Sequence, residues 1–385
     1  MNLIKLTILG MICLIVVGCG QLVDTGSGSG MDHNVQVSSA RTLSQSPSVA
    51  KLEDVNHVVV WSNTQGVNAQ IFEGNTSISN QQILVEGELP ASTYQMTSLG
   101  NGGIAIIYEK ENDGIYLSRF SSQLVHDGTT QLSVIGTDPL ISANDSRITV
   151  AWVENFTTKT QVLEIDGTII QTITSGFPGS QVPTSLTSLI GDRFVLVGAN
   201  GTDVHGLIYL GTGTSVTGFT IEGATEVWNP TAHSLENGQF VLTWHQAMGN
   251  GQWALYQKQF NSLGTSNFNA RRVAYVTKNS ATSEQVQVKS SFKAHITPLS
   301  GGDYVIVMRT YEINLNGSTF TRLFSQKYSA YSELIGKPLR INESEIQTMQ
   351  FAPAAESIGG STVVVAWESA GVIYTQRISP SNQLL

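Results

Sequence analysis

Seven stretches of this chain share one construction: a strand of small residues, a tight turn, and an apolar strand that closes on an aromatic residue or its substitute. They are KLEDVNHVVVW (51–61), SLGNGGIAIIY (98–108), SANDSRITVAW (142–152), SLIGDRFVLVG (188–198), SLENGQFVLTW (234–244), PLSGGDYVIVM (298–308) and SIGGSTVVVAW (357–367). In each, an apolar anchor lies nine residues before the end position. The anchors are Leu52, Leu99, Ala143, Leu189, Leu235, Leu299 and Ile358; the end positions are Trp61, Tyr108, Trp152, Gly198, Trp244, Met308 and Trp367. Successive end positions are 47, 44, 46, 46, 64 and 59 residues apart. A unit of this size cannot bury its apolar face alone, so neighbouring units must stack.

Each unit continues with a third segment, such as GIYLSRF (114–120), WALYQKQF (253–260) or VIYTQRI (372–378). A fourth follows, as in QQILV (81–85), TQLSV (130–134), GFTI (218–221) and KPLRI (337–341). No sustained helical period runs between residues 34 and 385, and short β-rich runs bounded by Gly, Asn and Ser describe antiparallel strands. The expectation is an all-β, seven-bladed β-propeller of four-stranded antiparallel blades over 34–385. A pair of β-sandwiches or an open solenoid are the alternatives. The last unit runs short of a fourth strand, while Asn34-Val35-Gln36-Val37 precedes the first and matches fourth-strand segments. An N-terminal strand near 34–38 is therefore expected to complete the last blade, leaving no open edge.

Residues 1–18 place one basic residue, Lys5, before an apolar run too short to span a bilayer, which describes a signal peptide. Val16-Val17-Gly18-Cys19 follows at its end and resembles the bacterial lipobox. That resemblance implies cleavage before Cys19, lipidation of its thiol and, with Gly20 rather than Asp after it, retention at the outer membrane. Two or more acyl chains give stable anchoring. Residues 19–33 then read as the lipidated cysteine and a flexible Gly/Ser tether.

A net charge of −9, from 20 basic and 29 acidic residues, excludes the basic stripe a nucleic-acid surface needs. Two cysteines, Cys13 in the signal and Cys19 at its end, exclude a disulfide scaffold and a Cys-based zinc cluster. No nucleophile elbow, H-E-x-x-H, Walker loop or D-x-D-x-D-G calcium loop occurs, and Glu111-Asn112-Asp113-Gly114 reads as a hairpin turn. Sialidase, WD40 and kelch boxes are absent as well. His233 and His295, on innermost strands of adjacent units, have no evident third metal ligand and read as structural. No cofactor and no metal is expected.

In a propeller the first-to-second and third-to-fourth turns share one face, and the second-to-third loops and blade connections share the other. The first-to-second turn is invariant in length here, so its face reads as structural. Length variation falls on the other face: HQAMGNGQ (245–252), RTYEINLNGST (309–319), the connection 275–291, and ESEIQTMQ (343–350). Loops on a rigid scaffold gather binding residues. The candidate ligand-binding patch is His245, Trp253, Arg309, Tyr311, Glu312, Asn314 and Asn316, whose mixture suits a glycan or protein partner. The chain looks like the broad class of lipid-anchored propellers. That implies an envelope binding or scaffolding role more readily than catalysis. A carbohydrate-active hydrolase or lyase with its site on the same face is the alternative.

Overall fold

The nine-residue offset is a four-residue turn plus a five-residue strand. In the computed structural model, the anchor amides of Leu52, Leu99, Leu235, Leu299 and Ile358 each donate to a carbonyl four residues on, closing the turn. The second strand then carries the chain to its end position. The structure describes residues 34–38, 44–53, 56–87, 94–175, 182–223, 225–249, 252–266, 268–273, 285–287, 294–313, 319–342, 352–359 and 361–385.

Seven antiparallel sheets follow one another along the chain. Their innermost strands are Gln45–Lys51, Tyr94–Ser98, Thr137–Ala143, Ser185–Leu189, Val227–Ser234, His295–Pro298 and Ala354–Ser357, in blades one to seven. Each touches the next, and the seventh touches the first, so the ring closes. Blade seven is completed from the N-terminal side, as the sequence predicts: Val35 and Gln36 pair with Thr375 and Tyr374 of strand Val372–Ile378. Leu384 bridges Ile378 on the same edge. The outer strand of this blade is thus assembled from two remote pieces of chain.

Burial follows the repeat. Six of the anchors are buried, Ala143 partly so, and every end position is buried. Seven hydrophobic clusters result, and each mixes residues of two consecutive blades. The end-position side chains point to the preceding blade: Trp61 packs with Ala354, Val364 and Ile373 of blade seven, and Trp244 with Val195 and Val197 of blade four. Side chains on a strand alternate in direction, so the residue after each end position points to the following blade. Cross-strand aromatic pairs brace the blades at two levels. At one level Tyr108–Tyr116, Trp244–Tyr256 and Trp367–Tyr374 stack at 5.7, 5.8 and 6.0 Å. Four residues earlier Phe194–Tyr209, Phe240–Phe260 and Tyr304–Tyr328 stack at 5.4, 5.1 and 5.3 Å. Such pairs add about 0.5–1 kcal/mol each to the ladder.

The two faces differ in build. On the narrow-turn face the third-to-fourth turns repeat one geometry, with Ser121, Glu164, Leu210, Asn261, Ser329 and Ser379 each donating its amide four residues ahead. Side chains of Ser121, Asn261 and Ser329 cap the turns they open. The other face carries the blade connections and the second-to-third loops. There the sequence expectation needs correcting for blades five and six, because segments read as loops are ladder. The second and third strands of blade five run Gln239–Gly249 and Gln252–Asn261, and those of blade six Tyr304–Ile313 and Thr319–Tyr328. Part of the 275–291 connection is also strand: Gln285–Gln287 pairs with Tyr311–Ile313.

Candidate functional site

The predicted patch separates into three groups. His245 and Arg309 are buried members of extended second strands, paired with Leu255 and Leu323, and are not the exposed loop residues expected. Each directly follows its end position and points to the next blade. Trp253 stands near the start of the third strand of blade five and is half-buried. The backbones of Tyr311 and Glu312 lie in the blade-six ladder, opposite Thr321 and Phe320. Asn314 and Asn316 lie outside the described residues, as do 343–350, Cys19 and the tether.

The position after the end residue forms a ring that the repeat alone does not reveal. It holds Ser62, Glu109, Val153, Ala199, His245, Arg309 and Glu368, so blades five, six and seven each bury an ionisable group there. Burial pushes the His245 imidazole down to about 4, which keeps it neutral at ordinary pH. Glu368 accepts the Gly371 amide at 2.6 Å and fixes the tip of its own hairpin.

Across the blade-five ladder from His245 stands Trp228, which the sequence reading did not select. It is the second residue of the innermost strand, just before a bulge where Asn229 takes φ +50° ahead of Pro230. The same bulge occurs at Ser46-Pro47 in blade one and Asp138-Pro139 in blade three, after Gln45 and Thr137. The recurring x-[S/D/N]-Pro triplet was the available signal: W-N-P puts an indole where Q-S-P and T-D-P put polar chains. Bulges re-aim side chains, and they favour rims and sites. Trp228 is 48% exposed. Its Nε1 donates to Glu226 Oε1 at 2.8 Å, and its ring meets Trp253 edge to face at 6.4 Å and 81°. The support beneath is backbone. Ala247 N donates to the Glu226 carbonyl at 2.9 Å, Thr225 Oγ1 to the Ala247 carbonyl at 2.6 Å, and Val227 N to the Gly201 carbonyl at 2.6 Å.

A carboxylate pair lies on the same face at blades two and three. Burial raises the Glu109 carboxyl above its ordinary range, and the Asp138 charge adds to this while the Asp138 amide donates to it. The channel histidines do meet, with His233 and His295 rings 4.9 Å apart. However, the His295 ring bonds to the Ala355 carbonyl of the next innermost strand, and burial lowers its pKa to about 4. Four residues before its anchor, His295 occupies the place of Ser185, which bonds the Ala232 backbone of its own neighbour. It is a clasp between blades. No three potential metal-ligating residues gather among the described residues. Glu356, on the innermost strand of blade seven, is pushed up to about 7 by burial. A groove of about 580 Å³ lies away from this rim, at the seam of blades seven and one, lined by Glu73, Ile78, Ile358, Thr362 and Arg377.

No family model matches the chain, and no curated protein matches its sequence. Among solved structures it is similar to a protein of unknown function from Dyadobacter fermentans, at 11% identity over 89% of this chain and 97% of that one, with TM-score 0.49. It is similar to a puromycin-hydrolyzing peptidase of Mycobacterium tuberculosis, at 12% identity and TM-score 0.49, over 90% of this chain but 53% of that one. A third likeness is to the NanB sialidase of Streptococcus pneumoniae, at 9% identity over 90% and 70%, with TM-score 0.47. At these levels none of them speaks to activity. The chain is a seven-bladed β-propeller by its own strand pairing.

Proposed function

We propose that this chain is a binding or scaffolding protein of the bacterial cell envelope, anchored in the outer membrane through lipidated Cys19, whose loop face holds a protein or glycan partner at blades five and six. The signal-like segment 1–18 and the lipobox resemblance support the anchor. Loss of palmitate incorporation and of membrane retention in Cys19→Ala is the expected result; a variant that keeps both contradicts it. One observation carries the binding reading: Trp228, half exposed, is held by Trp253 and Glu226 on a hairpin whose ladder runs through the segment read as a loop. A fixed aromatic at a rim has little rotamer entropy left to lose on binding.

The test is retention of an envelope component from detergent extracts by the purified chain. Trp228→Ala is compared with Tyr331→Ala, a 68% exposed residue in a third-to-fourth turn on the opposite face. Retention lost only with Trp228→Ala supports the reading, and equal retention by both removes it.

The hydrolase reading has one observation in its favour, the Glu109–Asp138 pair, since a carboxyl with a raised pKa beside a charged one is the arrangement of general acid catalysis. Release of reducing ends from envelope polysaccharide, abolished in Glu109→Gln, favours that reading.

A further inference from the structure

We infer that Trp228 and Glu226 form a saccharide subsite, in which the apolar face of a pyranose ring stacks on the exposed indole and a sugar hydroxyl donates to the Glu226 carboxylate. The inference rests on the loop-face binding reading above and names the ligand class for it.

Three features select a sugar. First, the carboxylate lies at the edge of the indole, bonded to Nε1 at 2.8 Å, and not above the ring face. A ligand stacked on the indole therefore meets apolar carbon beneath it and an acceptor beside it. A pyranose matches this division, with C–H groups on its faces and hydroxyls around its equator. Glu226 uses Oε1 for the indole, and among the described residues nothing bonds its Oε2. Second, the indole is fixed before any ligand arrives. Trp253 blocks it edge-on at 81°, and the Asn229–Pro230 bulge holds its backbone. Weak, shallow sugar contacts depend on such preorganisation. Third, the groups leading into the ring are polar: Glu222 ends the preceding strand and Thr225 and Glu226 are exposed in the connection, with Met248 the exposed apolar side chain on the facing strand. A protein hot spot sits instead within a contiguous dry patch. The equivalent positions in blades one and three, Gln45 and Thr137, share the bulge but lack the ring, so this subsite belongs to blade five.

The experiment uses the full chain in detergent on a glycan array, followed by tryptophan-fluorescence titration with the best-bound glycan and with tetramethylammonium chloride as a cation probe. Trp61, Trp152, Trp244 and Trp367 are buried, so a surface ligand reports through Trp228 and Trp253. The expected result is saturable glycan binding with Kd of about 1 mM or tighter. Trp228→Ala weakens it at least about tenfold and Glu226→Gln about three- to tenfold, while Trp228→Phe keeps part of it. Glycan binding unchanged in Trp228→Ala overturns the inference, and so does a response to tetramethylammonium alone, which marks a cation site. Silence across the array overturns it as well. If the array is silent while an envelope protein is still retained by the parent chain and lost from Trp228→Ala, the platform reading stands without the sugar.

Discussion

Blades one to four and blades five and six solve the same folding problem with different surpluses. In the first sector the end positions recur every 44–47 residues, and the second and third strands are seven or eight residues long. In the second sector the spacing rises to 64 and 59 residues, and those strands lengthen to ten or eleven. The extra chain continues the ladder past the buried His245 and Arg309 and braces Trp228 and Trp253. The inter-blade chemistry differs too. At the position four before the end, blades two to four carry Ile104, Ile148 and Phe194, whereas blade six carries Tyr304. Tyr304 bonds Gln257 Oε1 at 2.7 Å and Ser332 Oγ at 2.9 Å, and Ser332 bonds Gln259 Oε1 at 2.8 Å. At this position blades two to five are joined by shape alone, blade one carries the buried His57, and blade six adds a polar network.

The largest expected effect ignores the difference. Trp152→Ala in blade three and Trp244→Ala in blade five each remove a fully packed indole, and each should cost about 3–5 kcal/mol in urea denaturation. Clearly unequal costs break the claim of a common core.

Acid acts on both sectors next. Burial, aided at His57 by the Arg377 charge, lowers His57, His245 and His295 from 6.5 to about 4. Their unfolded forms bind protons first, so the stability they permit is complete above pH 6.5 and is lost as pH falls toward 4, by up to about 1.4 kcal/mol per pH unit each. Glu356, raised to about 7, acts in the opposite sense between 4.5 and 7 and offsets roughly one of them. His57→Phe places at the blade seven–one seam the kind of side chain that Phe194 and Phe240 supply elsewhere. It should flatten the acid limb by about one histidine's slope, and an unchanged limb contradicts the assignment.

Tyr304→Phe comes third, at about 1–2 kcal/mol, because it leaves Gln257 and Ser332 without their hydroxyl partner in a buried site. A cost near zero by urea denaturation means the network adds nothing beyond packing. The smallest expected change is Trp228→Ala, within about 0.5 kcal/mol of the parent, since half of the ring already meets water. A large loss assigns Trp228 to the core.

What the sequence disclosed follows from these differences. The nine-residue offset is a consequence of turn geometry plus a fixed strand length, so blade number and order could be read from it, and N-terminal closure from the fourth strand that the last unit lacks. The extended hairpins could not, because HQAMGNGQ contains the Gly and Asn of a turn, yet the ladder runs on to Gly249 and Gln252. Trp228 was hidden because its neighbours Asn229 and Pro230 look like a loop, and only alignment with Ser46-Pro47 and Asp138-Pro139 marks a bulge. Glu368 and Glu356 carry no pattern of their own; blade register alone places Glu368 in the ring with His245 and Arg309, and Glu356 on an innermost strand. His295 drew attention as a possible ligand, and its equivalence to Ser185 explains it as a clasp.

The most direct test of the central claim, that the sector around blades five and six is a rigid extension of the ladder and hence a prepared site, is amide hydrogen exchange. Amides in 243–247, 253–256 and 309–313 should exchange as slowly as those of Arg147–Glu154 in blade three, and far more slowly than the turn at Asn155. Exchange of those three segments at turn rates would contradict it and return His245, Arg309 and Trp253 to ordinary loops.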